Sequence, residues 1–213
     1  MVGISKYDEI ERHLRHAQTS LEKLVLAADG SELRDCWEAF LVDFSSAIGK
    51  MIAFAQREVT SRPFGHKLKN ASRFDDEGLV FLREARNVAV HGLEPFADFT
   101  NPSVNISGAI LMSGNSSAAF SNTYINGVNI GNFSIETKNG RVNRISGRPN
   151  TQISEVPASI KLKPVKNPEK KAITPVPTSV FGIKVEGGSP DHLAKTALDG
   201  LRNELLILRE ILQ

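Results

Sequence analysis

Residues 82–95, LREARNVAVHGLEP, have the pattern of the last turns of an amphipathic helix that ends at a glycine. Gly92 suits the left-handed residue that follows a last helical turn, and Pro95 cannot continue a helix. Since a helix that is apolar on one side must bury that side, the stretch predicts packing against other helices. Its apolar face consists of Phe81, Leu82, Ala85, Val88 and Ala89.

The same one-sided pattern predicts helices at residues 5–28, from 31 to about 59, and at 189–213. Ser31 and Ser189 are expected to cap the second and the last helix, and Ser72 with Asp75 predicts a capping box for the helix that contains residues 82–95. Pro63 and Gly65 predict a loop before it. The predicted core positions are Ile10, Leu14, Ala17, Leu21 and Leu24, then Trp37, Phe40, Phe44, Ile48, Met51 and Ala55, then Leu193, Ala197, Leu201, Leu205, Leu208 and Leu212.

The composition changes between the third and the last predicted helix. Residues 99–152 are rich in Asn, Ser, Gly and Ile, with polar and apolar residues in alternation, and Asn126-Gly127 and Asn139-Gly140 predict hairpin turns. Residues 153–187 are rich in Pro and Lys, which is typical of a linker, with one short strand at SVFGIKV. We therefore expect a mainly α protein: a helical bundle of residues 1–98, completed by 188–213 and interrupted by a small β-rich insertion.

The composition is that of an ordinary globular protein, with 40% hydrophobic residues and a formal net charge of +2. This charge is too small to identify a nucleic-acid partner, so the local clustering of basic residues matters more. Cys36 is the only cysteine, which excludes an intrachain disulfide, and no zinc-ligand spacing is present. Residues 1–10, MVGISKYDEI, lack the apolar run that is typical of a leader, and no stretch of the sequence approaches the length of a membrane span. We expect a cytoplasmic protein with no metal, no cofactor and no membrane partner.

Arg86, Asn87 and His91 bring a cation, an amide and an imidazole to the end of the third predicted helix. The pattern Arg-Asn-x-x-x-His at a helix end resembles the signature of the HEPN superfamily, an arginine, often followed by Asn, with a histidine a few residues later. The resemblance covers this helix and, loosely, the bundle, but not the β-rich insertion. It implies a HEPN-like fold for the bundle and a metal-independent endoribonuclease that forms a cyclic phosphate, acting as a toxin or an antiviral defence effector.

The residue types fit this chemistry, because RNA carries its own nucleophile in the 2′-hydroxyl group. His91 is expected to act as general base or acid, since imidazole titrates near neutral pH. Arg86 is expected to hold the scissile phosphate and to stabilise the transition-state charge. Asn87, four residues before His91 on the same side of the helix, is expected to orient the ring or the phosphate.

Helix geometry predicts how these residues are used. Arg86 and His91 lie about 140° apart around an ideal helix and about 7.5 Å apart along it, so one copy does not easily grip one phosphate from both sides. A two-fold dimer with facing motif helices would complete the site, as in HEPN nucleases. We therefore expect a homodimer or larger homo-oligomer that binds RNA. Further substrate contacts are expected from Arg83 and from the basic group Arg62, His66, Lys67 and Lys69.

Three alternatives remain at this stage. The motif residues could form an ordinary solvated helix end, with His91 complementing the helix dipole. The protein could be a non-catalytic protein- or RNA-binding module whose β-rich insertion recognises a target or mediates oligomerisation. It could also be a HEPN relative that binds nucleotide or RNA without cleaving it. A regulatory partner protein is expected for a toxin, but Leu93 stands where a toxin subset of the superfamily has a tyrosine that its antitoxin modifies, which argues against that mode of control.

Overall fold

The computed structural model describes residues 6–91, 96–167, 172–186 and 188–213. The chain divides into two compact units: unit 1 is formed by Met1–Leu26, Asp35–Asp98 and Lys161–Gln213, and unit 2 by Ala27–Arg34 and Phe99–Ile160. Helices account for 49% and strands for 28% of the described residues. The expected fold class, a mainly α bundle with a small β-rich insertion, is therefore wrong. Strands occur throughout residues 97–184, in both units, and the protein combines α and β structure.

The helices of the described chain lie close to their predicted positions. The predicted apolar stripes of the first, second and last helix are buried except for the terminal Leu212, and within unit 1 the last helix packs against the first and against the motif helix. None of the described helices is both long and apolar enough to span a bilayer. The bounds are α1 (Lys6–Leu26), α2 (Gly30–Ala55), α3 (Arg62–Asn70), a π-helical turn (Ala71–Asp75), α4 (Glu77–His91) and α5 (Pro190–Ile211).

Helix α3 occupies the segment that was expected to be a loop. Pro63 lies in the first turn of α3, where its missing N–H has no intrahelical partner to lose. Gly65 is buried, and an ideal Cβ on it would lie 3.1 Å from the Cβ of Ala55, so the glycine allows α3 to approach the end of α2 closely. Both supposed helix breakers therefore have helical roles.

Two of the expected helix caps are also different. The carboxylate of Asp29, rather than Ser31, accepts from the backbone N–H groups at the start of α2, at 2.9 Å each. Asp76, rather than Ser72 and Asp75, caps α4 by accepting from the N–H of Leu79 at 2.9 Å. Ser189 is confirmed as the cap of α5, since its hydroxyl accepts from the N–H of His192. The predicted stop signals Gly92 and Pro95 lie outside the described residues.

The strands are short, and seven of their pairings are antiparallel. Their bounds are β1 (Ala97–Thr100), β2 (Ser103–Ile106), β3 (Ile110–Ser113), β4 (Ser116–Phe120), β5 (Tyr124–Ile125), β6 (Val128–Asn129), β7 (Gly131–Lys138), β8 (Arg141–Pro149), β9 (Ile153–Val156), β10 (Ser159–Leu162), β11 (Val165–Asn167), β12 (Ala172–Thr174), β13 (Ser179–Val180) and β14 (Ile183–Lys184).

The segment 153–187 was expected to be a linker with one strand, but it contains β9 to β14. Its prolines do not prevent this, because Pro164 and Pro175 lie between strands, where no ladder hydrogen bond requires their N–H. The side chains of Leu162 and Val165 are buried. In unit 1, the pair β11–β12 and strand β13 pack against α4, so this segment supports the motif helix.

The predicted single strand at residues 179–185 is a tight hairpin, β13–β14, held by helix α4. Phe181 and Gly182 form its turn with positive φ angles of 52° and 72°. The N–H of Phe181 donates to Oδ2 of Asp76 at 2.6 Å, while the other oxygen of Asp76 caps α4. Gly78 leaves space for Val180, since an ideal Cβ on Gly78 would lie 2.4 Å from the Cβ of Val180.

Unit 2 contains two three-stranded sheets, with orders β3-β2-β9 and β4-β7-β8, and the hairpin β5–β6. The two predicted hairpin turns are confirmed: Asn126-Gly127 and Asn139-Gly140 all have positive φ and join paired strands. Near the two ends of the main segment of the unit, the hydroxyls of Thr100 and Ser159 are hydrogen bonded at 2.7 Å. The core is formed by Val104, Ile106, Met112, Ile130, Phe133 and Ile135.

Candidate functional site

Helix α4 presents the motif residues along one accessible stripe. Arg83, Arg86 and Asn87 are half-buried, and Val90 and His91 are exposed. At 100° per residue these positions span an arc of about 140° around the helix, with Arg86 at one edge and His91 at the other. The other side of α4 is buried in unit 1 through Phe81, Leu82, Ala85 and Val88.

Arg86 and Asn87 are joined by their side chains. Nη1 of Arg86 donates to Oδ1 of Asn87 at 3.3 Å. Neighbouring residues project about 100° apart on a helix, so this bond turns the guanidinium group of Arg86 toward Asn87. His91, four residues after Asn87, projects in a similar direction to Asn87. The amide therefore positions the cation on the accessible stripe.

The guanidinium group of Arg86 keeps unused donors. Its Nε is buried and has no hydrogen-bond partner among the described residues. A buried donor without an acceptor costs about 1–3 kcal/mol, and Nε1 of Trp37 is a second such donor. Because Nε is buried, the donors of Arg86 that a ligand reaches are those of its terminal nitrogens. Such unsatisfied groups are rare in folded proteins, and a phosphate oxygen is the type of acceptor that a guanidinium group prefers.

His91 is the last residue of α4 and is exposed. Within the described part of the chain, no hydrogen bond or ion pair joins its ring to Arg86 or Asn87. The ring is therefore accessible to a ligand or to a second protein molecule, but a single protomer does not bring it into contact with the arginine.

The expected substrate contact Arg83 is engaged within its own chain. Its Nη2 donates to Oε1 of Glu84 at 2.7 Å and to the carbonyl oxygen of Arg73 at 3.4 Å. Glu84 is only 3% exposed, so Arg83 stabilises a buried carboxylate. Sequence reasoning assigned Arg83 to RNA because a buried glutamate cannot be recognised from composition alone.

The basic group at Arg62, His66, Lys67 and Lys69 lies on α3. Arg62, His66 and Lys69 share one side of this helix, at positions i, i+4 and i+7, while Nε of Arg62 is 3.4 Å from the carbonyl oxygen of Gln56. Among the described residues no hydrogen bond or ion pair joins this group to the motif residues. The structure therefore brings together Arg86 and Asn87, with His91 on the same stripe, and leaves the α3 group separate.

Sequence reasoning missed two features of unit 1 beside the site. Asp76 and Glu77 hold the β13–β14 hairpin, and Glu77 accepts from the hydroxyls of Thr178 and Ser179 at 2.8 Å each. Two adjacent acidic residues at a helix start indicated only a cap. Within the described residues, no group of three or more His, Cys, Asp or Glu is arranged to hold a metal ion.

No family model, curated protein or solved structure matches this chain.

Proposed function

We propose that the protein is a metal-independent endoribonuclease of the HEPN type, with Arg86, Asn87 and His91 as its catalytic group. The observation that carries the proposal is the Arg86–Asn87 pair, in which an amide directs a half-buried guanidinium group with an unsatisfied donor onto the stripe where His91 is exposed. A guanidinium group and an imidazole on the same helix are the two groups that cleavage of a phosphodiester requires, once a second protomer brings them to one phosphate.

The reaction is a transesterification. The 2′-oxygen of the ribose attacks the adjacent phosphorus and the bond from phosphorus to the 5′-oxygen breaks, which gives a 2′,3′-cyclic phosphate and a 5′-hydroxyl end. A base removes the proton of the 2′-hydroxyl group and an acid donates one to the leaving oxygen. His91 takes one of these roles, and Arg86 neutralises the charge that develops on the phosphoryl oxygens.

A second copy completes the site in this proposal. One imidazole cannot act on both sides of the phosphorus at the same moment, and among the described residues no hydrogen bond or ion pair joins His91 to Arg86. A two-fold dimer would bring two stripes together and supply a second His91 and a second Arg86. Val90, half-exposed beside His91, provides apolar surface for such an interface.

The decisive experiment is cleavage of a labelled RNA by the purified protein in the presence of EDTA. We expect cleavage that survives chelation, leaves a 2′,3′-cyclic phosphate and spares RNA with 2′-O-methyl groups. Arg86→Ala and His91→Ala should each lose at least about a hundredfold in rate. Arg57→Ala, which removes an exposed arginine outside the site, is the matched control and should cleave normally. Intact RNA with every substrate would refute the proposal.

The composite site has its own test. Mixed after partial denaturation and refolding, the inactive Arg86→Ala and His91→Ala proteins should recover part of the cleavage. The shared site of a heterodimer holds one Arg86 and one His91, whereas the site of each parent lacks one of the two groups altogether. The shared site would be ruled out if cleavage did not return after either mixing or co-expression. It would also be ruled out if the protein sedimented as a monomer and still cleaved RNA. Neither result would contradict the nuclease proposal itself.

The cellular setting follows from the chemistry. An unrestrained ribonuclease arrests growth, so we propose a cytoplasmic toxin or defence effector that a partner protein controls. Expression should stop growth, and Arg86→Ala should abolish the arrest.

The second candidate is a non-catalytic binding module, which the exposed and basic strand β8 of unit 2 favours. In that case RNA would bind without being cut, and substitutions in unit 2 rather than at Arg86 would remove function.

A further inference from the structure

An irregularity in the β7–β8 pair of unit 2 changes which side chains share a face. Lys138 pairs with Arg141 and Thr137 with Val142, but the next residue of β7, Glu136, pairs with Arg144. Asn143 is therefore the extra residue of a β-bulge in β8. A bulge shifts the alternation of side chains beyond it by one position.

The shift places three arginines on one face. Arg141 and Arg144 are three residues apart and would point to opposite faces of a regular strand. With the bulge, Arg141, Arg144 and Arg148 pair with Lys138, Glu136 and Asn132, which are the exposed positions of β7. The alternate positions of β7, Phe133, Ile135 and Thr137, are buried.

This outer face of the sheet β4-β7-β8 is basic. Its remaining side chains are small or polar, and Glu136 is its one carboxylate within the paired strands. Arg141, Arg144 and Arg148 are exposed, and within the described residues their side chains make no ion pair or hydrogen bond, even though Glu136 lies opposite Arg144. The arginine face is composed of Ser117, Ala119, Asn132, Ser134, Glu136, Lys138, Arg141, Arg144, Ser146 and Arg148.

Two arginines of unit 1, in contrast, are paired with carboxylates of the chain. Arg209 binds Glu11 at 2.6 Å, and Arg202 lies 3.4 Å from a carboxylate oxygen of Asp199. On the arginine face the charge is not neutralised by the chain, so the face attracts an anionic partner.

We propose that the arginine face binds the phosphate backbone of RNA. Arg144 and Arg148 are separated by roughly 13 Å along the strand, so that the row contacts several phosphates at once. Each guanidinium group can bind a phosphate through two parallel donors. The small side chains between them form no apolar pocket of the kind that anchors a protein partner. A second copy of this face would carry the same charge, which disfavours pairing with itself.

RNA binding by the arginine face does not depend on the cleavage proposed for α4, so it is tested with a probe that the protein cannot cleave. A 2′-O-methyl oligonucleotide lacks the attacking hydroxyl, so the full-length protein binds it without cutting. Fluorescence anisotropy at several salt concentrations gives both Kd and its salt dependence. We expect the triple variant Arg141→Gln, Arg144→Gln and Arg148→Gln to weaken binding by at least about tenfold and to lower the slope of log K against log salt by about 2.

A charge-matched control separates this site from net charge. Lys23→Gln, Arg57→Gln and Lys195→Gln remove three exposed cations from unit 1 and should change Kd less than about twofold. Both triple variants change the net charge by the same amount. Circular dichroism must show that each is folded, and a triple variant that does not fold is replaced by the single Arg144→Gln, for which a slope decrease of about 0.7 is expected.

A gain of binding supplies the converse test. Ser146 lies on the arginine face between Arg144 and Arg148, so Ser146→Arg should tighten binding several-fold and steepen the salt slope by about 0.7. Ser154→Arg adds the same charge at an exposed strand position in the other sheet of unit 2 and should have a smaller effect.

Three results would overturn the proposal. The first is the absence of binding to the oligonucleotide at low salt. The second is equal weakening by both triple variants, which would assign binding to net charge. The third is saturable binding of polyglutamate to the arginine face with no binding of the oligonucleotide, which would assign the face to an acidic protein. These results concern binding alone, whereas the cleavage assay with EDTA decides the function of Arg86 and His91.

Discussion

Asn87 accepts a hydrogen bond from Nη1 of Arg86 over 3.3 Å, and this bond sets the direction of the guanidinium group on α4. Arg86 lies at the border between the buried and the accessible side of the helix, as its buried Nε shows. We therefore propose that Asn87 acts by positioning Arg86.

Asn87→Ala should lower the rate of RNA cleavage by about 10- to 100-fold, mainly in kcat, because the charge of Arg86 remains but its direction is lost. Asn203→Ala, which removes an exposed asparagine of α5, is the matched control and should retain the parental rate. Single-turnover rates measure the effect. Cleavage by Asn87→Ala at the parental rate would show that the hydrogen bond has no part in catalysis.

Arg86→Lys should be nearly as inactive as Arg86→Ala. Lysine keeps the positive charge but has no planar fork, so it neither pairs with Asn87 in the same geometry nor binds phosphate through two donors. The rate at saturating RNA is the measurement. If Arg86→Lys restored most of the activity, charge alone would explain the role of residue 86.

Arg83→Ala should act on stability rather than on RNA. Its removal leaves the 3%-exposed Glu84 without one of its partners, so the free energy of unfolding should fall by about 1–3 kcal/mol. Urea denaturation measures this loss, and the cleavage rate of the folded fraction should be unchanged. A stable Arg83→Ala protein with weak RNA binding would instead restore Arg83 as a substrate contact.

Gly78→Ala and Gly49→Ala should shift stability in opposite directions. A Cβ on Gly78 would lie 2.4 Å from the Cβ of Val180 and 2.7 Å from the carbonyl oxygen of Ser179, so we expect a loss of about 1–3 kcal/mol. Gly49, in the middle of α2, has no atom within 4 Å of its ideal Cβ, and alanine there should add up to about 1 kcal/mol. The midpoints of urea unfolding compare the two variants directly.

Glu77 should make the β13–β14 attachment sensitive to acid. Hydrogen bonds from the hydroxyls of Ser179 and Thr178 lower the pKa of Glu77 below its ordinary value of 4.5. A lowered pKa means that the charged form stabilises the fold above 4.5 and that this contribution is lost as the pH falls through the folded-state pKa. Glu77→Gln should therefore be less stable than the parent at neutral pH, and the difference should shrink under acidic conditions. An equal difference at all pH values would contradict this account.

Helical periodicity allowed most of the helices to be predicted. It did not reveal that Pro63, Gly65 and Gly78 lie inside helices, where the two glycines permit close packing. Pro63 and Gly65 indicate a loop when only local preference is considered, whereas the close approach of Ala55 makes Gly65 a packing residue in a helix. In the same way, a Pro- and Lys-rich segment indicates a linker until its few apolar residues, such as Leu162 and Val165, have a surface on which to be buried. Tertiary contacts of this type have no local signal.

In the candidate site, too, features with a local sequence signal were predictable and features that depend on tertiary contacts were not. The motif and its position on a helix were predictable, because Arg86, Asn87 and His91 are close in sequence. The engagement of Arg83 by Glu84 was not, since both residues are ordinary surface types. In β8, Val142 and Ile145 are three residues apart, which is an imperfect alternation that could have indicated the bulge, but only the pairing with β7 shows that Arg141 and Arg144 share a face.

The hydrogen bond between Thr100 and Ser159 has a consequence for the order of folding. Helices α1 and α5 must find each other although α5 begins at residue 190, and the unfolded chain between them imposes an entropy cost that rises by about 0.6 kcal/mol for each doubling of its length. Once unit 2 is folded, residues 100 and 159 are neighbours, and nearly 60 residues no longer count as flexible loop. Early folding of the inserted segment should therefore accelerate the pairing of α1 with α5, and mutations that unfold unit 2 should slow the folding of unit 1.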